Sequence, residues 1–269
     1  MTTSDVRSGL RPGEPLRAAA SKVPEVTVYF WIIKILTTGM GEAAADYLQG
    51  ILSPVLAIGF TGTLLVASLA VQFRARQYVA WVYWAAVVMV SVFGTLVADG
   101  LRHALGLSHS QNTAVFVVAL VLVFVAWYAV ERTLSIHSIH TARRETFYWA
   151  TVMATFALGT AVGDWTAETL GLGFLASGVL FGVAIAVPAV AHRWAGLAAI
   201  PAFWAAYVVT RPLGASFADW MAVPPGHGGL GWGTLLTTIV TSAFIVVFVA
   251  YLAISRADVE RPAGGARAA

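Results

Sequence analysis

Residues 31–46 read WIIKILTTGMGEAAAD, and the spacing of three residues in this stretch decides the fold. Trp31 is followed by Gly41 ten residues later and by Asp46 fifteen residues later. The same spacing returns three more times without insertion or deletion, always with an aromatic residue directly before the Trp, as Trp84/Gly94/Asp99, Trp149/Gly159/Asp164 and Trp204/Gly214/Asp219. Four gap-free copies predict four tandem repeats, each roughly 55 to 65 residues long.

The composition is that of an integral membrane protein. Of the 269 residues, 59% are hydrophobic and only 11% are charged, whereas soluble domains carry about 25% charged residues. Eight apolar stretches are each long enough for a hydrocarbon core of about 30 Å, namely 26–46, 54–73, 79–99, 112–131, 146–165, 174–191, 197–218 and 233–254. We therefore predict an all-α membrane protein with eight transmembrane helices.

Each repeat is predicted to be a pair of these helices, with the Trp/Gly/Asp frame on the first helix of the pair. The predicted organisation is a disordered cytoplasmic tail at 1–24, repeats at 25–77, 78–142, 143–195 and 196–255, and a second cytoplasmic tail at 256–269. A two-helix repeat returns to the side where it began, so the four repeats are parallel and their pseudo-symmetry axis runs along the membrane normal.

The basic residues predict the orientation. With eight spans, thirteen Lys and Arg lie on the side of the two termini and only Arg102 lies on the other side. The positive-inside rule then makes the protein multi-pass with both termini cytoplasmic. Each frame Asp lies toward the extracytoplasmic side.

Polar residues follow one face of the first helix. Lys34, Thr38, Glu42 and Asp46 are spaced by four, which aligns them along one stripe. The equivalent stripes read Val87, Ser91, Thr95, Asp99, then Val152, Phe156, Thr160, Asp164, and finally Tyr207, Arg211, Ala215, Asp219. An isolated charge at membrane depth costs about 2.5–3.5 kcal/mol or more, so these stripes are expected to face one another and not lipid.

Convergence of the stripes predicts a cation site. Its substrate-binding residues would be Glu42, Asp46, Asp99, Asp164 and Asp219 with the hydroxyls of Thr38, Thr95 and Thr160. Lys34 and Arg211 are predicted to balance charge by pairing with Glu42 or an Asp. Carboxylates and hydroxyls are hard oxygen donors that suit Mg²⁺, Mn²⁺, Ca²⁺ or Na⁺. The five acids are therefore the predicted metal ligands, and a divalent metal ion is the one cofactor considered.

Several of these residues also have simpler structural interpretations. A single Asp can cap a following segment, and the Gly column can serve close helix approach. The Trp column (Trp31, Trp84, Trp149 and Trp204) is predicted to form an interfacial belt near the cytoplasmic headgroups, with a cation-π lining as the alternative. Pro212 is expected to kink or break its helix.

The Trp frames and the run from Lys34 to Glu42 resemble a family of bacterial integral membrane proteins described as uncharacterised membrane-anchored proteins. Its members are built from four tandem copies of a two-helix repeat of unknown function with a characteristic Trp. The resemblance covers residues 25 to 255, and it implies a place in the bacterial cytoplasmic (inner) membrane. It implies no activity.

Function must therefore come from the residues. The sequence contains no P-loop, HExxH motif or Ser/His/Asp order, so no enzyme is expected. The carboxylate cluster predicts a proton-coupled secondary transporter or exchanger of a cation, with a divalent metal ahead of a small organic cation. The alternatives are a channel, or a module that binds a lipid, a partner protein or a cofactor. Expected partners are membrane lipid, a small cation or proton, and optionally a second copy of the chain. Nucleic acid is not expected.

Overall fold

The computed structural model describes residues 21–259, and all regular structure in that range is helical. The helices are α1 (Val28–Ile51), α2 (Pro54–Arg74), α3 (Ala80–Leu105), α4 (His109–Glu131), α5 (Ala142–Asp164), α6 (Gly173–Ala184), α7 (Ala186–Trp194), α8 (Ala199–Ala222) and α9 (Gly233–Ser255). A π-helical turn, Trp165–Thr169, extends α5. The predicted tails at 1–20 and 260–269 lie outside the described residues.

Local sequence signals explain where the helices begin. The hydroxyls of Thr27, Ser53 and Thr141 each accept a hydrogen bond from a backbone N–H in the first turn of the following helix. Ser108 forms a complete capping box with Gln111. These caps satisfy N–H groups that have no partner inside the helix. All eight predicted apolar stretches are accordingly helical, with ends that differ by only a few residues.

The sixth stretch is interrupted, and the seventh is not. Pro188 has no N–H to donate to the carbonyl of Ala184, the residue at which α6 ends, and α7 begins at Ala186. The break predicted at Pro212 is absent, because α8 runs without interruption from Ala199 to Ala222.

Five segments of the described chain are long and apolar enough to cross a membrane: α2, α3, α4, the α6–α7 pair and α9. The protein is thus a membrane protein by the character of its helices. Helices α1, α5 and α8 are not among the five. They carry frame copies and much of the buried polar stripe, so their composition reflects protein surroundings more than lipid.

The four helices that carry the frame, here called the motif helices (α1, α3, α5 and α8), form a closed ring. α1 packs against α3 and α8, and α5 packs against the same two helices. The other helices lie outside, with α2 against α3, α4 against α5, α6 against α8 and α9 against α1. Each outer helix therefore packs mainly on the motif helix of the next repeat, and α9 closes the circle on the first.

The segment just before α1 corrects the predicted tail at 1–24. Lys22 is buried, and its Nζ lies 2.7 Å from Oε2 of Glu145 while also donating to the carbonyl of Phe73. The N–H of Tyr78 donates to the carbonyl of Ser21. Residues 21–24 are fixed because they thread between the ends of other helices and satisfy their polar groups.

The far end of the described chain also packs at this place. Asp258, which the prediction put in the second tail, is buried and accepts a hydrogen bond of 2.5 Å from the hydroxyl of Tyr78. Its carbonyl accepts from the N–H of Glu25. Residues 21–27 and 256–259 therefore meet at one end of the bundle.

Candidate functional site

The frame glycines bring the motif helices into close contact. Each of them lies against the residue three positions before the glycine of the next repeat, as Gly41 on Ser91, Gly94 on Phe156, Gly159 on Arg211 and Gly214 on Thr38. A Cβ at any of the four would come within 3.0 Å of a neighbouring atom. The column permits close helix approach, as small residues do in membrane proteins, and the contacts run in one direction around the ring.

This approach turns the polar stripes toward the interior of the ring. Residues at the first three stripe positions are buried on all four helices. Equivalent stripe residues of the four helices thus form three successive levels. The levels are Lys34, Val87, Val152 and Tyr207, then Thr38, Ser91, Phe156 and Arg211, and then Glu42, Thr95, Thr160 and Ala215.

Glu42 and Arg211 form an ion pair at the centre. Nη2 of Arg211 lies 2.6 Å from Oε2 of Glu42, and the two residues are 0% and 4% exposed, respectively. Thr95 and Thr160 donate to the same carboxylate oxygen at 3.2 and 3.1 Å. Arg211 in turn contacts both hydroxyl oxygens. The carboxylate is therefore held by groups from three other helices, as its charge requires at this depth.

Thr38 contributes through its backbone. Its carbonyl accepts from Nη1 of Arg211 at 2.9 Å, while its hydroxyl donates to the carbonyls of Ile35 and Thr210. It fixes the guanidinium and does not reach Glu42, so the hydroxyl is occupied in packing α1 on α8.

Lys34 does not have the role expected from the sequence. Among the described residues it forms no ion pair, and its Nζ has no hydrogen-bond partner. The amine instead lies 4.0 Å from the ring centroid of Phe156 and 4.3 Å from that of Tyr207. The predicted pairing of Lys34 with a carboxylate is corrected, because Glu42 is already paired with Arg211.

The four frame aspartates, here called the Asp level (Asp46, Asp99, Asp164 and Asp219), lie one turn beyond Glu42. All are half-buried, and all lie near enough to interact with the charge of Glu42. Asp99 accepts a hydrogen bond of 3.0 Å from Gln49. Within residues 21–259 none of the four has a salt-bridge partner at 4.0 Å or less.

The Asp level does not form a compact metal cage. Among the described residues, no group of three or more His, Asp or Glu side chains is arranged to hold a metal ion directly. The predicted ligands are therefore near one another without closing on one point. Such a spread arrangement fits a cation that keeps part of its water shell, as Mg²⁺ commonly does.

Aromatic residues fill the opposite end of the ring. Trp84, Trp149 and Trp204 are buried and only Trp31 is half-exposed, which corrects the predicted belt of Trp side chains at the headgroups. They are buried because the ring is closed here by their neighbours, among which the hydroxyls of Tyr83 and Tyr148 are hydrogen-bonded to each other. Buried aromatic side chains thus pack together at this end of the ring.

Comparison with known proteins agrees with the repeat pattern. A family model described as a Repeat of Unknown Function (DUF347) matches four times, at residues 29–78, 82–133, 147–197 and 202–258. The chain belongs to this family. No curated protein and no solved structure matches the chain. Each match of the DUF347 repeat contains one complete Trp/Gly/Asp frame.

The sequence did not reveal every polar group that this DUF347 chain buries. Glu145 is 0% exposed and bonded to both Lys22 and Gln72, yet it lies before the apolar part of α5. Gln49, which orients Asp99, has no equivalent in the other repeats. The stripe did contain Phe156 and Tyr207, but only their contact with Lys34 shows what they do.

Proposed function

We propose that the protein is a secondary transporter or exchanger of a cation, coupled to protons, whose cation site is the Asp level together with Glu42. The observation that carries the proposal is an imbalance of charge. Four aspartates, none with a salt bridge among the described residues, lie near a buried glutamate whose charge is already matched by Arg211. An excess of acids at membrane depth is costly unless cations or protons neutralise it.

The proposal includes a topology. Eight segments cross the membrane as four parallel two-helix repeats around a pseudo-symmetry axis along the membrane normal, with both termini in the cytoplasm of a bacterial cell. The packing of residues 21–27 against 256–259 supports a common side for the two ends. Basic residues at that end, against Arg102 at the other, support the cytoplasmic assignment. The Asp level then faces outward.

The cation class follows from the donors. Half-buried carboxylates attract a cation that still carries its water shell. Because the four Asp carboxylates do not close on one point, they favour a divalent ion that keeps some of its water. Mn²⁺ or Mg²⁺ is therefore the proposed cargo. To reach Glu42, such an ion must displace Arg211 from the carboxylate. Glu42 would then bind either the guanidinium of Arg211 or the ion. A carrier requires two such states of one site.

Closure of the aromatic end supports a carrier over a pore. Tyr83, Tyr148 and three buried Trp residues (Trp84, Trp149 and Trp204) lie between the stripe levels and the proposed cytoplasmic side. The Asp level at the other end is half-buried, which favours a ring that is closed toward the cytoplasm and open to water on the outer side. Release into the cytoplasm requires the aromatic end to open.

Proteoliposomes test the proposal. Uptake of Mn²⁺, Mg²⁺, Ca²⁺, Na⁺ and tetramethylammonium is measured with and without a pH gradient. The expected result is accumulation of one divalent ion that depends on the gradient and is lost in Asp46→Asn with Asp164→Asn. Thr63→Ala, on the exposed outer face of α2, is the matched control and should leave uptake unchanged. Full activity of the double Asp variant would falsify the shared site, and passive flux independent of the pH gradient would indicate a channel.

A further inference from the structure

Lys34 is a buried cationic side chain whose role the cation site does not explain. It is 1% exposed and has neither a hydrogen-bond partner nor a carboxylate partner in the described part of the chain. Its Nζ lies between the ring faces of Phe156 and Tyr207, at 4.0 and 4.3 Å from their centroids. A basic group inside a membrane protein without a counter-ion is expected to have a function.

The surroundings of Lys34 offer no compensating charge from any packed helix. On α8 the nearest charged group is Arg211, which has the same sign. On α3 and α5 the residues at the same level are Val87 and Val152, and the titratable groups one turn earlier are the tyrosines of the aromatic end. Helix α9, which also packs on α1, contains no charged residue, and its one titratable side chain, Tyr251, lies beside Tyr29. On α1 itself Glu42 is bonded to Arg211.

The surroundings of Lys34 tolerate both the charged ammonium and the neutral amine, but they stabilise neither form strongly. A buried ammonium without a counter-ion is costly, and the neutral amine avoids that cost. The two aromatic faces offset part of the cost by cation-π attraction. A residue that served only for packing would gain nothing from an amine here, and a permanent cation would gain more from a carboxylate partner.

We propose that Lys34 is the proton-exchanging group of the transport cycle, separate from the cation site. The inference rests on the proposed function and adds the location of the coupled proton. The ammonium N–H bond breaks when water reaches Nζ as the aromatic end opens, and the proton leaves with that water on the proposed cytoplasmic side. After the aromatic end has closed, the amine takes up a proton from water that enters from the side of the Asp level, so one proton crosses the membrane in each cycle.

The geometry separates the two sites. Glu42 follows Lys34 by two helical turns, which is about 12 Å along the axis at 1.5 Å per residue. A proton on Lys34 and a cation at Glu42 therefore influence each other through charge and through the position of Arg211, which lies between them, and not by sharing an atom. Removing the lysine should uncouple the proton without removing the cation site.

The sequence offers a direct spectroscopic test, because Lys22 and Lys34 are the only lysines in the chain. Protein labelled with ¹⁵N-lysine in lipid nanodiscs should give two Nζ signals, and Lys34→Arg assigns them by removing one. Lys22, paired with Glu145 at 2.7 Å, supplies the second signal. We expect the Lys34 signal to move between the ammonium and amine positions as pH is varied. A Lys34 signal that remains in either form wherever the protein is folded overturns the proposal.

Transport supplies the second readout. In proteoliposomes, Lys34→Arg and Lys34→Met are expected to retain Mn²⁺/Mn²⁺ exchange and to lose accumulation driven by a pH gradient. Wild-type accumulation in the Arg variant would overturn the proposal, as would loss of exchange and accumulation together in variants that remain folded. If wild-type protein moves no cation at all, the transport function fails, whereas the Nζ signals still decide whether Lys34 exchanges a proton.

Discussion

The carboxylate of Glu42 and the guanidinium of Arg211 meet at 2.6 Å inside the ring, although one belongs to the first repeat and the other to the last. Both are buried, and the hydroxyls of Thr95 and Thr160 complete the contacts of the carboxylate. The pair therefore links the first repeat to the last inside the ring, where a buried charge without a partner is costly.

Removing one partner of this pair should be worse than removing both. Arg211→Met leaves the carboxylate of Glu42 buried and unmatched, with an expected loss of about 3–5 kcal/mol in unfolding free energy. The double variant Glu42→Gln with Arg211→Met should recover part of that loss. A double-mutant cycle measured by unfolding in mixed micelles checks it. Strictly additive effects would show that the two groups are not coupled.

The effect of a Gly→Ala substitution on stability should depend strongly on whether the glycine belongs to the Trp/Gly/Asp frame. At Gly214 a Cβ would lie 2.7 Å from the carbonyl oxygen of Ile35, a backbone atom that cannot rotate away. Gly214→Ala should separate α8 from α1 and lower the melting temperature markedly. Gly59→Ala is the matched control, since Gly59 is exposed on α2 with no atom within 4 Å of its Cβ position. That substitution should be neutral or stabilise by up to about 1 kcal/mol, because alanine favours helix.

The Trp/Gly/Asp frame predicted much of the fold because the spacing of its residues determines which of them lie on the same face of a helix. Residues four apart must share a face, so the burial of the stripe and the contact of the motif helices could be expected from the sequence. The partner of each side chain could not. Lys34 and Arg211 occupy similar places on their stripes, and only the packing of α8 on α1 decides that Arg211 reaches Glu42 first. The outer helices likewise show no sequence signal for packing on the next repeat.

The burial of three of the four Trp residues in this column was not predicted, for a related reason. An interfacial Trp and a buried Trp look alike in an apolar sequence, since both lie near a helix end. Trp204 differs only by its surroundings, where its indole N–H donates to the carbonyl of Leu134 at 2.9 Å. That acceptor belongs to a connection between helices, which no periodic pattern places.

Neutralising the Asp level should not harm the fold. Asp164 and Asp219 lie near other acids and have no salt bridge in the described residues, so Asp→Asn removes repulsion and keeps the shape. We expect equal or slightly higher melting temperatures for Asp164→Asn and Asp219→Asn, together with the loss of cation uptake. A clear decrease in melting temperature of both variants would instead indicate that these carboxylates have a structural partner.

The buried pair of Lys22 and Glu145 should anchor the segment before α1. Lys22→Met leaves Glu145 unmatched and should cost roughly 3–5 kcal/mol, with faster proteolysis at residues 21–27. Arg143→Met is the control. Arg143 is exposed and shares Glu131 with Arg144, so its loss should cost no more than about 1 kcal/mol. Equal effects of the two substitutions would remove the distinction between a buried anchor and a surface pair.

Asp258 predicts a pH dependence of stability. Burial raises the pKa of this carboxyl, although the hydrogen bond from Tyr78 opposes the shift. Because the folded state holds the proton more tightly than the unfolded state, the contribution to stability is fully present below the unfolded pKa of about 3.9 and is lost as pH rises through the folded pKa. Asp258→Asn keeps an acceptor for Tyr78 and should flatten the pH profile of the melting temperature above that value. An unchanged profile would mean that Asp258 makes no such contribution.

Because each outer helix packs on the motif helix of the following repeat, the ring could also assemble from separate two-helix chains. The last outer helix, α9, packs on α1 as α2 packs on α3, so this packing pattern does not show which repeat comes first in the chain. Four separate two-helix chains could make the same contacts. A ring of unlinked two-helix copies is therefore a feasible ancestor. Joining residue 259 to residue 21 through a linker, which keeps Lys22 in place, while cutting another connection should give a circular permutant that closes in the same way.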